Sequence, residues 1–300
     1  MQSLGIRKIW RAGTSPLRVL PDFLVIGGQK CGTTFLFSLL KCHPAVRMPL
    51  QKEIHFFDYP GHFAKGLAWY RSHFPLRFSS FWHRGHHGQG FITGEASPYY
   101  LYHPHAPKRI FETLPNMKFV VLLRNPIDRA YSHYFHEVRH GFEKLSFEEA
   151  VDGEEARLSH DRERLFRDEA YYSFSHHHYS YLARGIYVDQ LKTWFRFFPR
   201  ANFFIAQSEK FFSDPKRVGA QVFQFLGLST EGLWPLVGAR RSGIDRNGGG
   251  RYPEMNPSIR QRLRDYFKPH NERLTALLGI DFSWGESFTS SVFSKTKIHS

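Results

Sequence analysis

Lys30, Arg124 and Ser132 are the residues whose types and positions could do chemistry on a phosphorylated ligand. Lys30 lies in Gly27-Gly28-Gln29-Lys30-Cys31-Gly32-Thr33-Thr34, between an apolar run, Phe23 to Ile26, and a helical pattern opening at Thr33. A glycine-bearing turn there exposes backbone N–H groups at a helix N-terminus, where the peptide dipoles favour an anion. Arg124 follows a second apolar run, Lys118 to Leu123, and Ser132 comes about two helical turns later. An arginine in that place attracts phosphate and repels Mg²⁺. Together these residues predict a doubly cationic, metal-free clamp for a nucleotide with separate 5′ and 3′ phosphate groups. Ordinary readings stand beside it. Lys30 could be a solvated loop lysine, Arg124 an ion pair with Asp128 or Glu95, and Ser132 a helix-surface serine.

Such a clamp needs strands that end together. Phe23–Ile26, Phe91–Glu95, Lys118–Leu123 and Phe203–Ala206 read as short buried strands. Between them, helical patterns cover 34–41 (stopped by His43-Pro44), 65–74, 106–114, 127–139, 185–198, 215–226 and 257–278. Residues 52–58 read as extended, and 83–90 and 238–253 as loops. The charged stretch 143–172 reads as helix with a solvated face. Residues 173–180, with His176-His177-His178, read as a mobile surface loop. Three adjacent histidines diverge and have no evident carboxylate or cysteine partner, so no metal site is expected. Alternating strand and helix predict an α/β fold: a P-loop-like single domain over 22–300 with a central parallel sheet flanked by helices. Lys30, Glu95 and Arg124 all follow strand ends, where ligands of open parallel sheets sit.

Composition narrows the class less. Hydrophobic residues at 41% and charged residues at 23% describe a globular chain, and 30 Phe promise a ring-rich core. A net charge of +14 favours a polyanionic partner without choosing one. Residues 1–21 form a basic arm, expected to be a loose surface segment. Cys31 and Cys42 are the only cysteines and lie too far apart to bridge within one element. No run of apolar residues is long enough to span a membrane.

A nucleotide hydrolase places its lysine just after the second glycine of the loop and ends another strand in an Mg²⁺-holding acid. Thr33 and Arg124 stand in those places. At these residues the sequence resembles a known family. Lys30-Cys31-Gly32-Thr33-Thr34 is similar to the 5′-phosphosulfate loop of sulfotransferases, and Arg124-Asn125-Pro126 through Ser132 to their 3′-phosphate motif. Lys52-Glu53-Ile54-His55-Phe56-Phe57-Asp58 resembles the acceptor-side motif of the heparan sulfate N-sulfotransferase and glucosaminyl 3-O-sulfotransferase type. Trp69-Tyr70-Arg71, Glu95-Ala96-Ser97-Pro98, Gly185-Ile186-Tyr187, Gly250-Arg251-Tyr252-Pro253 and Asp281-Phe282-Ser283-Trp284 extend the resemblance over most of the chain.

The resemblance implies direct sulfuryl transfer from 3′-phosphoadenosine 5′-phosphosulfate (PAPS) to a hydroxyl or amine, leaving PAP, with no metal. It implies that Lys30 neutralises the leaving oxygen and that Cys31, Gly32, Thr33 and Thr34 hold the 5′-phosphate. Arg124 and Ser132 would take the 3′-phosphate, and Gly250, Arg251 and Tyr252 would close over the nucleotide. Glu53 would be the general base, with His55, His133 and His136 as rivals. Two departures matter: Ala96 stands where the glycosaminoglycan enzymes carry lysine, and their late cysteine pair and N-terminal anchor are absent. The expected acceptor is therefore a carbohydrate or small molecule, in a cytoplasmic enzyme, with no nucleic-acid partner. A P-loop-type ATP-dependent kinase and a non-enzymatic polyanion-binding protein are the alternatives.

Overall fold

Five short strands, of which Phe23–Gly27 is buried along its whole length, settle into one parallel sheet. The computed structural model describes residues 9–49, 51–80, 90–231, 233–234 and 252–284. The strands are β1 (Phe23–Gly27), β2 (Val46–Arg47), β3 (Ile92–Ala96), β4 (Lys118–Leu123) and β5 (Phe203–Gln207), ordered β2-β3-β1-β4-β5. Phe23 pairs with Gly94 on one side and Lys118 on the other, so β1 is central and its loop is held from both flanks.

Side chains alternate between the two faces, as the period of two requires. Leu24, Ile26, Phe119 and Val121 pack under Val188, Leu191, Trp194 and Leu274, from the helices Tyr187–Phe195 and Pro257–Leu278. Phe23, Val25, Val120 and Leu122 meet Leu36, Leu40, Val222 and Phe223, from Thr33–Cys42 and Pro215–Leu226. The first layer is the ring-rich core expected from composition: Phe119 touches Trp194, Phe198 and Phe203 with centroids 4.6–5.0 Å apart. Gly94 is forced by this packing, since a Cβ there would lie 2.4 Å from the Phe23 ring.

Several expectations needed correction. The helix read at 65–74 is shorter, Gly66–Arg71, and is preceded by Pro60–Phe63. β2, only two residues long, carries too little pattern to be seen in sequence. Part of the basic arm is docked: residues 9–13 are helical, and Arg11 Nε donates to Ser72 O at 2.6 Å. Arg18, 1% exposed, donates to Phe74 O at 2.7 Å. The solvated face read over 143–172 is interrupted by buried Glu143 and Glu154, and Glu154 accepts from the backbone N–H groups of Leu182 and Ala183. Residues 173–180 are not a mobile loop. Ser173 caps a short helix, Phe174–His178, by accepting from His176 N at 3.0 Å, and His176 is buried. The long helix Pro257–Leu278 ends at Gly279 as expected, and no helix among the described residues is long and apolar enough to cross a membrane.

Candidate active site

The loop after β1 is held from below, which leaves its upper surface for a ligand. Gly28 N donates to Leu122 O at 2.6 Å and Cys31 N to Gly28 O at 3.1 Å. Ser208, at the end of β5, donates its hydroxyl to Cys31 O at 2.6 Å. The Cys31 thiol is fully buried, 3.9 Å from the Tyr187 hydroxyl, and burial pushes it up. The Cys31 side chain therefore shapes the loop from beneath, and any part Cys31 takes in holding the 5′-phosphate is through its main chain. By contrast, the N–H groups of Gln29, Lys30, Gly32, Thr33 and Thr34 have no partner among the described hydrogen bonds. They are the orphan donors of a helix N-terminus, in a bend made possible by Gly32 at φ 90°.

Lys30 itself has φ 66°, a left-handed backbone rare for a residue with a Cβ. Its carbonyl accepts from Arg124 Nη1 at 3.3 Å, so the Arg124 side chain reaches the main chain of the Lys30 loop across the ends of β1 and β4. Burial lowers the Lys30 pKa, and Arg139 and Arg124 act in the same direction, against Tyr252 and Glu137. Neither ion pair considered for Arg124 forms: Asp128 binds Arg260 at 2.8 Å and Glu95 accepts from Tyr70 at 3.0 Å. Ser132 is buried to 4%, and its hydroxyl lies 3.5 Å from the Tyr252 hydroxyl. Tyr252 stacks on Phe135 at 4.6 Å and 7°. The structure thus gathers Lys30, Gly32, Thr33, Thr34, Arg124, Ser132 and Tyr252 around one region. Gly250 and Arg251 lie outside the described residues.

The acceptor-side motif sits over the end of β3. Glu53 N donates to Ala96 O at 3.1 Å and His55 N to Ser97 Oγ at 3.3 Å. It is not the extended stretch expected from its alternating pattern, because Glu53 and His55 both have positive φ, 62° and 53°. That kink turns their side chains together. Glu53 contacts Lys52 and lies 3.3 Å from His55 Nε2, while His55 Nδ1 is 2.8 Å from Asp58 Oδ2. Asp58 is only 2% exposed, and sequence reasoning passed over it. Its signal was the spacing of three from His55, visible only once the segment is read as a turn.

Charge separation in this chain is strong. Burial disfavours ionised Glu53, but the His55 hydrogen bond and the Lys52 charge win and hold its pKa at about 2. Burial likewise disfavours charged His55, and Asp58 with Glu53 raises it to about 10. His55 is therefore a cation shared by two carboxylates and a poor base at neutral pH, leaving Glu53 as the open proton acceptor. Linkage makes this testable. A histidine raised from about 6.5 unfolded to about 10 folded adds stability that is complete below pH 6.5 and lost as pH rises through 10. The destabilisation caused by His55→Asn should accordingly shrink between pH 6.5 and 10 in urea titrations. A constant difference across that window would remove the charged-histidine assignment.

The rival bases lie elsewhere. His133 is fully buried, 3.2 Å from Glu137, and burial holds it neutral. His136 is lowered to about 4 by burial and then by Lys30. Glu95 does not reach Lys30; it is wholly buried, raised by burial to about 8, and bonded to Tyr70. One residue ties the two halves of the site. Arg184, which is 2% exposed, donates to the Gln29 side chain in the donor loop and to the carbonyl oxygens of His176 and His177. The His177 ring in turn lies 6.0 Å from that of His55.

Comparison with known proteins shows the family. The sulfotransferase domain family matches residues 20–237. Heparan sulfate glucosamine 3-O-sulfotransferase 6 of Homo sapiens is 30% identical, over 89% of this chain and 75% of that protein. The membrane-associated sulfotransferase kil1 of Dictyostelium discoideum is 28% identical, over 89% of this chain and 67% of its own. Among solved structures, a sulfotransferase from Alicyclobacillus acidocaldarius superposes with a TM-score of 0.68 at 30% identity, covering 89% of this chain and 100% of that one.

Proposed function

The chain belongs to the sulfotransferase family, and we propose on that footing that PAPS is its donor and a carbohydrate or small-molecule hydroxyl or amine its acceptor. The observation that carries this reading is the hydrogen bond from Arg124 to the main chain of the Lys30 loop, beside unclaimed backbone N–H groups, with ionised Glu53 across the end of β3. The residues present suit a bisphosphorylated nucleotide. The N–H groups of Gly32, Thr33 and Thr34 would hold the 5′-phosphate, and Arg124 with Ser132 the 3′-phosphate, with Tyr252 beside Ser132. Gly250 and Arg251 stay part of the proposal through the resemblance alone.

In the transfer, a lone pair of the acceptor oxygen or nitrogen forms the new bond to sulfur. The bond from sulfur to the 5′-phosphate oxygen breaks, and its electron pair stays on that oxygen, where Lys30 supplies positive charge. The acceptor proton goes to the Glu53 carboxylate, which Lys52 and His55 keep ionised. Lys30 and Arg124 provide the cationic charge directly, so EDTA should leave transfer unchanged. Labelled PAPS with the purified chain, with and without EDTA, tests the reading; absence of PAPS binding by calorimetry would overturn it. ATP turnover abolished by EDTA would favour the kinase alternative instead. The cytoplasmic location stays part of the proposal through the sequence reading alone.

A further inference from the structure

A cavity of about 330 Å³ opens beside His55 and Asp58, on the acceptor side of the proposed base. Its other walls are rings: Tyr59, His62, Tyr99, Tyr172 and His177. Most of their polar edges are already engaged. The Tyr99 hydroxyl lies 2.6 Å from His176 Nδ1, and the Tyr172 hydroxyl 2.9 Å from His177 Nδ1. His62 Nδ1–H points at the carbonyl oxygens of Ile54 and His55, at 3.0 and 3.1 Å. Tyr99 and His177 stack face to face at 4.2 Å and 4°. What remains for an incoming molecule is chiefly ring surface.

The charge inventory is equally specific. His55 is matched by Glu53 and Asp58, and burial followed by the Arg184 charge keeps His177 neutral. Arg184 stands behind the wall, its guanidinium 4.8 Å from the Tyr99 ring centre and its Nη2 on main-chain carbonyls. Among the described residues no lysine or arginine lines the cavity. A sulfate or carboxylate group brought into it would lose water and meet there only His55, already matched by two carboxylates, which is unfavourable. An uncharged ring carrying a hydroxyl loses little and gains aromatic contact. The volume lies near the small end of ligand pockets and accommodates one ring with its substituents.

Building on the sulfotransferase reading, we propose that the acceptor is an uncharged, ring-bearing alcohol. Its ring lies against the wall made by Tyr99, Tyr172 and His177, and its hydroxyl is presented to Glu53 and His55. Tyr172 and His177 are then specificity-determining residues, supplied by a segment that the transfer chemistry itself does not use.

The test uses the full chain, labelled PAPS and three acceptors: methyl glucoside as a neutral glycoside, 2-naphthol as a neutral aryl alcohol, and heparin as a polyanion. PAPS binding is measured first by calorimetry. Its absence sinks the family-level reading and this inference with it. The expected result is transfer to one of the neutral alcohols at least 10-fold faster, in kcat/KM, than to heparin, and which one accepts identifies the ring type. PAPS binding without transfer to either neutral alcohol overturns the acceptor class alone. His177→Ala should raise the acceptor KM by about 2- to 10-fold, the scale of one aromatic contact, with PAPS affinity retained. His177→Phe, which returns a ring, should recover most of that loss. An unchanged acceptor KM in a folded His177→Ala protein would remove this wall from acceptor binding.

Discussion

Replacing Lys30 with alanine is expected to slow transfer by about 10²–10³-fold, the usual effect of deleting one group aimed at developing charge. The position is built for one cation. A left-handed backbone at φ 66° turns the residue out of the loop, and Arg124 holds its carbonyl in place. The side chain loses water to its surroundings, as its lowered pKa records, so its charge acts through less screening than on an open surface. Single-turnover rates at saturating PAPS isolate the step, and a melting temperature close to the parent's shows that the fold is kept. Lys30→Arg should rescue little, because a planar guanidinium does not place one compact charge where an ammonium does. A loss of less than about 3-fold in Lys30→Ala would move the leaving-group role to another residue, whatever the loop's likeness to its family.

Glu53→Gln carries the second large effect, a loss of about 10²–10⁴-fold with PAPS affinity nearly unchanged. Glutamine keeps the shape of the side chain and can still meet Lys52, but it cannot take a proton. The separation of roles is drawn by the neighbours: His55 is raised to about 10 and Glu53 held at about 2. Removing the Glu53 charge leaves His55 with Asp58 as its only carboxylate partner at 2.8 Å. Its pKa should then fall, so any residual activity in Glu53→Gln should rise with pH. Full activity in this variant would hand the base to His55.

The donor half of the site was legible because each part has a local signal. β1 and β4 are uninterrupted apolar runs, and β4 runs over Lys118–Leu123 as expected. The helices Pro215–Leu226 and Pro257–Leu278 have proline at one end and glycine at the other, and their limits were read correctly. Lys30, Arg124 and Ser132 follow such elements at short range, so placing the elements placed them. The direction of the Cys31 thiol was not legible, because the loop bends it beneath, with Gly32 at positive φ and with Ser208, far along the chain, bonded to the Cys31 carbonyl.

The acceptor half was less legible, for a different reason. Alternation of charges and rings over 52–58 reads as extended, yet Glu53 and His55 take positive φ angles where their N–H groups are anchored to Ala96, at the end of β3, and to Ser97 just after it. Likewise the helix Phe174–His178 is short and histidine-rich, and its stability comes from the Tyr99 and Tyr102 rings stacked on His177 and His176. Both features depend on partners far along the chain, which periodicity does not report.

Arg184 grips its neighbours in two distinct ways. Toward the donor loop it holds a side chain, Gln29; toward the acceptor wall it holds the main-chain oxygens of His176 and His177 and lies over the ring of Tyr99. Its hold on His177 is therefore indifferent to which side chain that position displays, whereas Tyr99 is gripped through its ring. Position 177 can be exchanged, by inheritance or by design, without loosening the support under the loop that takes the nucleotide. The molecule has a fixed handle and a replaceable jaw.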